Sequence, residues 1–171
     1  DAQNAVQTLG EAYDGYVAIH SVEHPMAQQI STMLGGTLLN LGRAEEAAPI
    51  LKASWDGMRR LWGEEDIRTL TAQSNYVIAL MQLGRFEEAH DDFENAMRIH
   101  GLFPESLITR SYLSMLLAKT SALLEFGHVA DAIATSEQLI EEAGLRTEAD
   151  AQTRWGFPYE AAKLFIDNGD P

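Results

Sequence analysis

The sequence predicts an all-α fold built from stacked helix pairs. Three observations carry this. Apolar residues recur at helical spacing along most of the chain, and no stretch shows the two-residue alternation of a half-buried strand. Prolines are few, five in 171 residues, and four fall where helices are expected to start or break. A whole segment also recurs. Leu41-Gly42-Arg43-Ala44-Glu45-Glu46-Ala47 returns 42 residues later as Leu83-Gly84-Arg85-Phe86-Glu87-Glu88-Ala89. A looser copy, Phe126-Gly127-His128-Val129-Ala130-Asp131-Ala132, follows after 43 more.

Each unit of that period holds two helices and a short turn. The turn glycine takes positive φ and closes the first helix. The alanine after it lets the second helix pack close. Larger residues at matching places, Leu9, Leu51 and Phe93, or Tyr13, Trp55 and Met97, fill the space towards the next unit. A single pair cannot bury its apolar face, so neighbours must stack. Ala5 matches Ala47 and Ala89, and Asp14-Gly15 matches Asp56-Gly57. Residues 1–20 are therefore expected to be the second helix of a half repeat whose first helix is absent. With Asp1 in place of Met, this suggests a fragment or processed product of something longer.

In order, helices are expected at about 3–20, then 25–41 and 44–61, 66–83 and 86–100, and 104–126 and 129–143. These make an array over 1–143, with repeats at about 25–61, 66–100 and 104–143. A capping helix or tail occupies 144–171, its helix at about 147–168 broken near Trp155-Gly156-Phe157-Pro158. Pro25 and Pro104 suit first helical turns. Glu45-Glu46 and Glu87-Glu88 sit where the N-terminal end of the helix dipole favours acid. Tyr13, Tyr16, Trp55, Trp62, Tyr76, Phe86 and Phe93 fall at helical spacing and are expected to pack between helices, Trp62 and Trp155 being nearest to helix ends.

The Gly-x-(small or aromatic)-x-Glu-Ala core resembles the tetratricopeptide repeat. The period exceeds the roughly 34 residues of the standard repeat and is similar to the kinesin-light-chain variety. Gly63-Glu64-Glu65-Asp66-Ile67-Arg68-Thr69-Leu70 and the His24-Pro25 pair resemble the linkers of that variety. The resemblance covers roughly residues 1–143 and is best in repeat two. Repeat three departs from it: Lys119 and Thr120 stand where a large apolar and a small residue belong, and its first helix is about a turn and a half longer. A right-handed α-α superhelix is implied, in which the first helix of each pair lines a concave groove. By that register the groove carries Gln29, Thr32, Met33, Gly36 and Asn40 from repeat one. Repeat two contributes Thr71, Ser74, Asn75, Ile78 and Gln82, and repeat three Ser114, Leu117, Ala118, Ser121 and Glu125. Asn75 matches the asparagine with which the resembled repeats clamp peptides.

Composition narrows the function. Twelve Lys and Arg against 26 Asp and Glu leave a net charge of −14, which repels nucleic-acid phosphates and anionic membranes. The stretch from Tyr112 to Phe126 is the most apolar, yet Ser114, Lys119, Thr120, Ser121 and Glu125 interrupt it. Without cysteine there are no disulfides and no cysteine-based zinc sites, and a cytoplasmic location is the expectation. Gly35-Gly36-Thr37 lacks the lysine and preceding strand of a phosphate loop, so close helix packing is expected there. His20 and His24 have a metal-ligand spacing, but Pro25 breaks their helix and no third ligand lies near. Glu64-Glu65-Asp66, Asp91-Asp92 and Glu141-Glu142 fit solvated helix ends and linkers rather than catalytic pairs. No catalytic residue, metal or cofactor is therefore expected.

A protein-interaction scaffold that binds a peptide or partner protein in the groove is the leading expectation. Amides and hydroxyls suit a peptide backbone, while Met33, Ile78 and Leu117 offer apolar contact. The alternative is a regulatory, sensor or oligomerisation region of a larger bacterial signalling protein, a transcription regulator or serine/threonine kinase. Exposed solenoid ends also leave room for a homodimer.

Overall fold

The computed structural model describes residues 2–100 and 105–145. Among them are seven α-helices and no strand: α1 (Ala2–Ile19), α2 (Pro25–Asn40), α3 (Ala44–Trp62), α4 (Ile67–Gln82), α5 (Phe86–His100), α6 (Glu105–Glu125) and α7 (Val129–Leu145). Each helix lies within a residue or two of its expected place. The helix expected at 147–168, Pro104 and Trp155 lie outside the described residues.

The recurring glycines occupy equivalent corners. Gly42, Gly84 and Gly127 have φ of 70°, 68° and 81°, a region that costs other residues about 1–2 kcal/mol. At each corner the glycine N–H bonds back to the second-last residue of the helix, and the next N–H reaches one residue further. The pairs are Gly42 to Leu39 and Arg43 to Leu38, Gly84 to Met81 and Arg85 to Leu80, and Gly127 to Leu124 and His128 to Leu123. These are Schellman closures, which satisfy carbonyls that a helix end otherwise leaves bare. Arg43 then pairs with Glu46, and Arg85 with Glu88, across the first turn of the next helix.

Helix starts recur too. His24 Nδ1 accepts the Met26 N–H at 3.1 Å, and an Asp66 carboxylate oxygen accepts that of Arg68 at 2.9 Å. These caps stand 42 residues apart, before α2 and α4. Pro25 follows His24 at the start of α2, where its missing N–H costs nothing.

Packing follows the repeat. The helices α2, α4 and α6 contact one another in succession, while α3 wedges between α2 and α4. The α2–α3 contact is close because of Gly35: a Cβ there would lie 2.5 Å from Leu51, which is fully buried. The Gly35-Gly36 pair thus serves close packing through its first member. Trp55 and Phe93 are buried, while Tyr76, Phe86 and Trp62 are partly buried against the core. Tyr13 and Tyr16 are half-buried, the latter stacked on His20 at 4.4 Å. The longer α6 spans 21 residues against 16 for α2 and α4, as its sequence pattern suggested.

Candidate functional site

The helices α2, α4 and α6 sit side by side, and their shared outer face bounds a cavity of about 660 Å³. From α2 it is lined by Met33, Gly36, Thr37, Leu39 and Asn40. From α4 come Asn75, Ile78 and Gln82. From α6 come Ser114, Leu117, Ala118 and Ser121. Several of these positions recur on the repeat step. Met33, Asn75 and Ala118 are equivalent, as are Gly36, Ile78 and Ser121, and Asn40 and Gln82. Equal steps in sequence have become equal steps along the groove.

Asn75 is central. It projects from the middle helix, and a Cβ at Gly36 would lie 3.5 Å from its Nδ2. The second glycine of the pair therefore keeps a gap open beside the Asn75 amide. Among the described residues, the side-chain amides of Asn40, Asn75 and Gln82 have no hydrogen-bond partner. Each offers two N–H donors and a carbonyl acceptor to whatever enters. Met33, 60% exposed, adds an apolar contact at the α2 edge, and Ile78 and Leu117 add half-buried ones.

Five residues expected in the groove, Gln29, Thr32, Thr71, Ser74 and Glu125, do not line it. Thr32 is buried between α2 and α3, where its hydroxyl lies 2.6 Å from Ser54 Oγ, and both reach the Gln28 carbonyl. Ser74 is fully buried and donates to the Leu70 carbonyl at 2.8 Å. Their place is inter-helix packing, because each stands one residue round the helix from the groove face. Thr71 is exposed beyond the cavity and donates back to Ile67 O. Gln29 lies outside the cavity as well. Conversely, Thr37 and Leu39 line it without having been expected. Thr37 follows Gly36 directly, and that adjacency was the only signal for it.

The groove is uncharged although the chain is strongly acidic. Among the described residues, none that lines it is titratable. The helix α2 has no charged residue and α4 only Arg68. That guanidinium is held by Asp66 at 2.7 Å and stacks on Trp62 at 3.8 Å. The acid lies on the second helices. The helix α5 carries five Asp and Glu against one Arg, and α7 four against none. Groups with displaced pKa values also lie off the groove. Burial pushes the Asp92 carboxyl and the Tyr76 phenol up, and the Arg68 guanidinium holds Asp66 below the usual carboxylate range. Tyr76 faces the opposite side, beside Lys52, which bonds both Asp56 oxygens at 2.9 and 3.0 Å.

Residues 69–101, covering nearly all of α4 and α5, match the family model described as tetratricopeptide repeat. The fold is a tetratricopeptide-like helical solenoid. Two solved structures of a Podosopora anserina protein, described as the nearly identical TPR-like repeats of a kinesin light chain, align along it. One, a glutamine-to-methionine variant, gives a TM-score of 0.68 at 22% identity, and the other 0.66 at 21%. Each alignment covers 98% of this chain and 79% of the other. No curated protein matches the chain. Among the described residues no helix is long and apolar enough to cross a membrane.

Proposed function

We propose that this tetratricopeptide-like solenoid is a non-catalytic interaction scaffold that holds a peptide, or an extended segment of a partner protein, in the groove between α2, α4 and α6. One observation carries the reading: three side-chain amides, Asn40, Asn75 and Gln82, face one cavity with no partner among the described residues. Amides with both donors and acceptors suit a peptide main chain, which presents both. The apolar contacts at Met33, Ile78 and Leu117 suit its side chains. A rigid stack of helices presents these groups at fixed spacing, so little ordering opposes binding. A catalytic reading has no comparable support, since among the described residues the groove lining offers no acid or base with a displaced pKa.

The test is a membrane array of randomised heptapeptides probed with the purified protein. Bound spots are expected, weakened roughly tenfold in Asn75→Ala through the loss of one or two hydrogen bonds. Spots equally strong with Asn75→Ala and Ile78→Asp would place binding elsewhere and overturn the proposal.

A further inference from the structure

We infer that the groove takes an extended peptide whose central stretch, crossing α2, α4 and α6, carries no charged side chain, and whose one basic residue lies at the α6 end opposite Glu125. This rests on the peptide-binding reading above and specifies its ligand.

The uncharged centre follows from the walls. A Lys, Arg, Asp or Glu side chain entering beside Asn75 would give up water and find no counter-charge, because none of the lining residues is ionised. The nearest cation on α4, Arg68, is already engaged by Asp66 and Trp62. Specificity of this kind works by penalty: the groove rejects charge more than it selects any one apolar residue. Met33, Ile78 and Leu117 leave room for aliphatic or small side chains between the main-chain contacts.

The polarity follows from the repeat register. Asn40, Gln82 and Glu125 occupy equivalent positions at the ends of α2, α4 and α6. The row therefore runs amide, amide, carboxylate. Glu125 is exposed and stands outside the cavity lining, and among the described residues it forms no ion pair. Among the described residues, the one charge on this row lies at the α6 end, and it is negative. The net charge of −14 acts in the same direction at longer range, favouring a basic flank over an acidic one during approach.

The same heptapeptide array, acetylated and amidated so that the termini carry no charge, reads both features. Asp, Glu, Lys and Arg should be depleted roughly tenfold or more at the central positions. Lys and Arg should be enriched at one terminal position. In Glu125→Lys, with its fold checked against the wild type by circular dichroism, that terminal preference should change to Asp and Glu while the centre stays uncharged. Charged residues selected at the centre would overturn the inference, as would a terminal preference unchanged by Glu125→Lys. The groove reading survives either outcome provided the spots still fade in Asn75→Ala. Spots that ignore Asn75→Ala, or an array with no bound spots, overturn both.

Discussion

The α3–α4 junction and the α5–α6 junction are built at the same step of the repeat, yet they pack differently. At the first, α4 lies close along α3. Ala44 and Ala48 share a core cluster with Ala79, and Trp55 shares another with Ala72. At the second, among the described residues, α6 lies more closely along α4 than along α5, though Ala89, Phe93 and Ala96 share a core cluster with Leu113 and Leu116. Both junctions border a cavity, of about 500 Å³ beside Ala48, Lys52 and Tyr76 at the first and of about 250 Å³ beside His90, Phe93, Lys119 and Leu123 at the second. The repeat register explains the difference. Ala44 becomes Phe86, Ala48 becomes His90 and Ala72 becomes Met115. Small residues let two backbones meet, whereas their larger counterparts hold the helices apart and bridge the gap with side chains. Lys119 is one such bridge, its ammonium 4.5 Å from the Phe93 ring centre, and Thr120 beside it is buried on the Leu116 carbonyl.

The largest expected contrast is between cavities made at the two junctions. Leu51→Ala empties a fully buried site pressed against Gly35 and should cost about 3–5 kcal/mol in urea unfolding. Leu123→Ala, beside an existing cavity, should cost nearer about 2 kcal/mol. Equal costs would mean that the second junction is as tightly packed as the first.

The corner glycines sharpen the comparison at a smaller scale. A Cβ at Gly42 meets open space, so Gly42→Ala should cost only the backbone strain, about 1–2 kcal/mol. At Gly84 the added Cβ runs into the Phe126 ring, which stacks edge-on against Phe86 at 5.4 Å. Gly84→Ala should therefore cost about 1 kcal/mol more than Gly42→Ala in thermal unfolding. If Gly42→Ala proves the more damaging, the corner contact at Phe126 is not a structural one.

The smallest effect concerns the caps. Asp66→Ala should destabilise by about 1 kcal/mol at neutral pH by removing the α4 cap. The Asp66 pKa is lowered in the fold, chiefly by Arg68, so its contribution is present above the ordinary carboxylate range. It disappears as pH falls through the folded value. The stability difference between wild type and Asp66→Ala should accordingly shrink in acid, and a difference that grows there would contradict the assignment.

The recurrence of Leu-Gly-Arg and Phe-Gly-His was enough to place the helices and their corners. A glycine that must take positive φ, followed by acid suited to a helix start, is a local requirement written in local residues. The lack of charge along α2, and along α4 after Arg68, was equally present in the letters, and it became informative only when those helices were seen to face one cavity.

Which polar residue faced the groove was decided by tertiary packing. Thr32 and Met33, or Ser74 and Asn75, are neighbours about 100° apart on a helix, and each member of the pair is compatible with either face. The angle at which α3 and α5 settle against α2 and α4 turned Thr32 and Ser74 inward and left Met33 and Asn75 at the opening. That angle depends on side-chain volume at many contacts at once, which no period along the chain records.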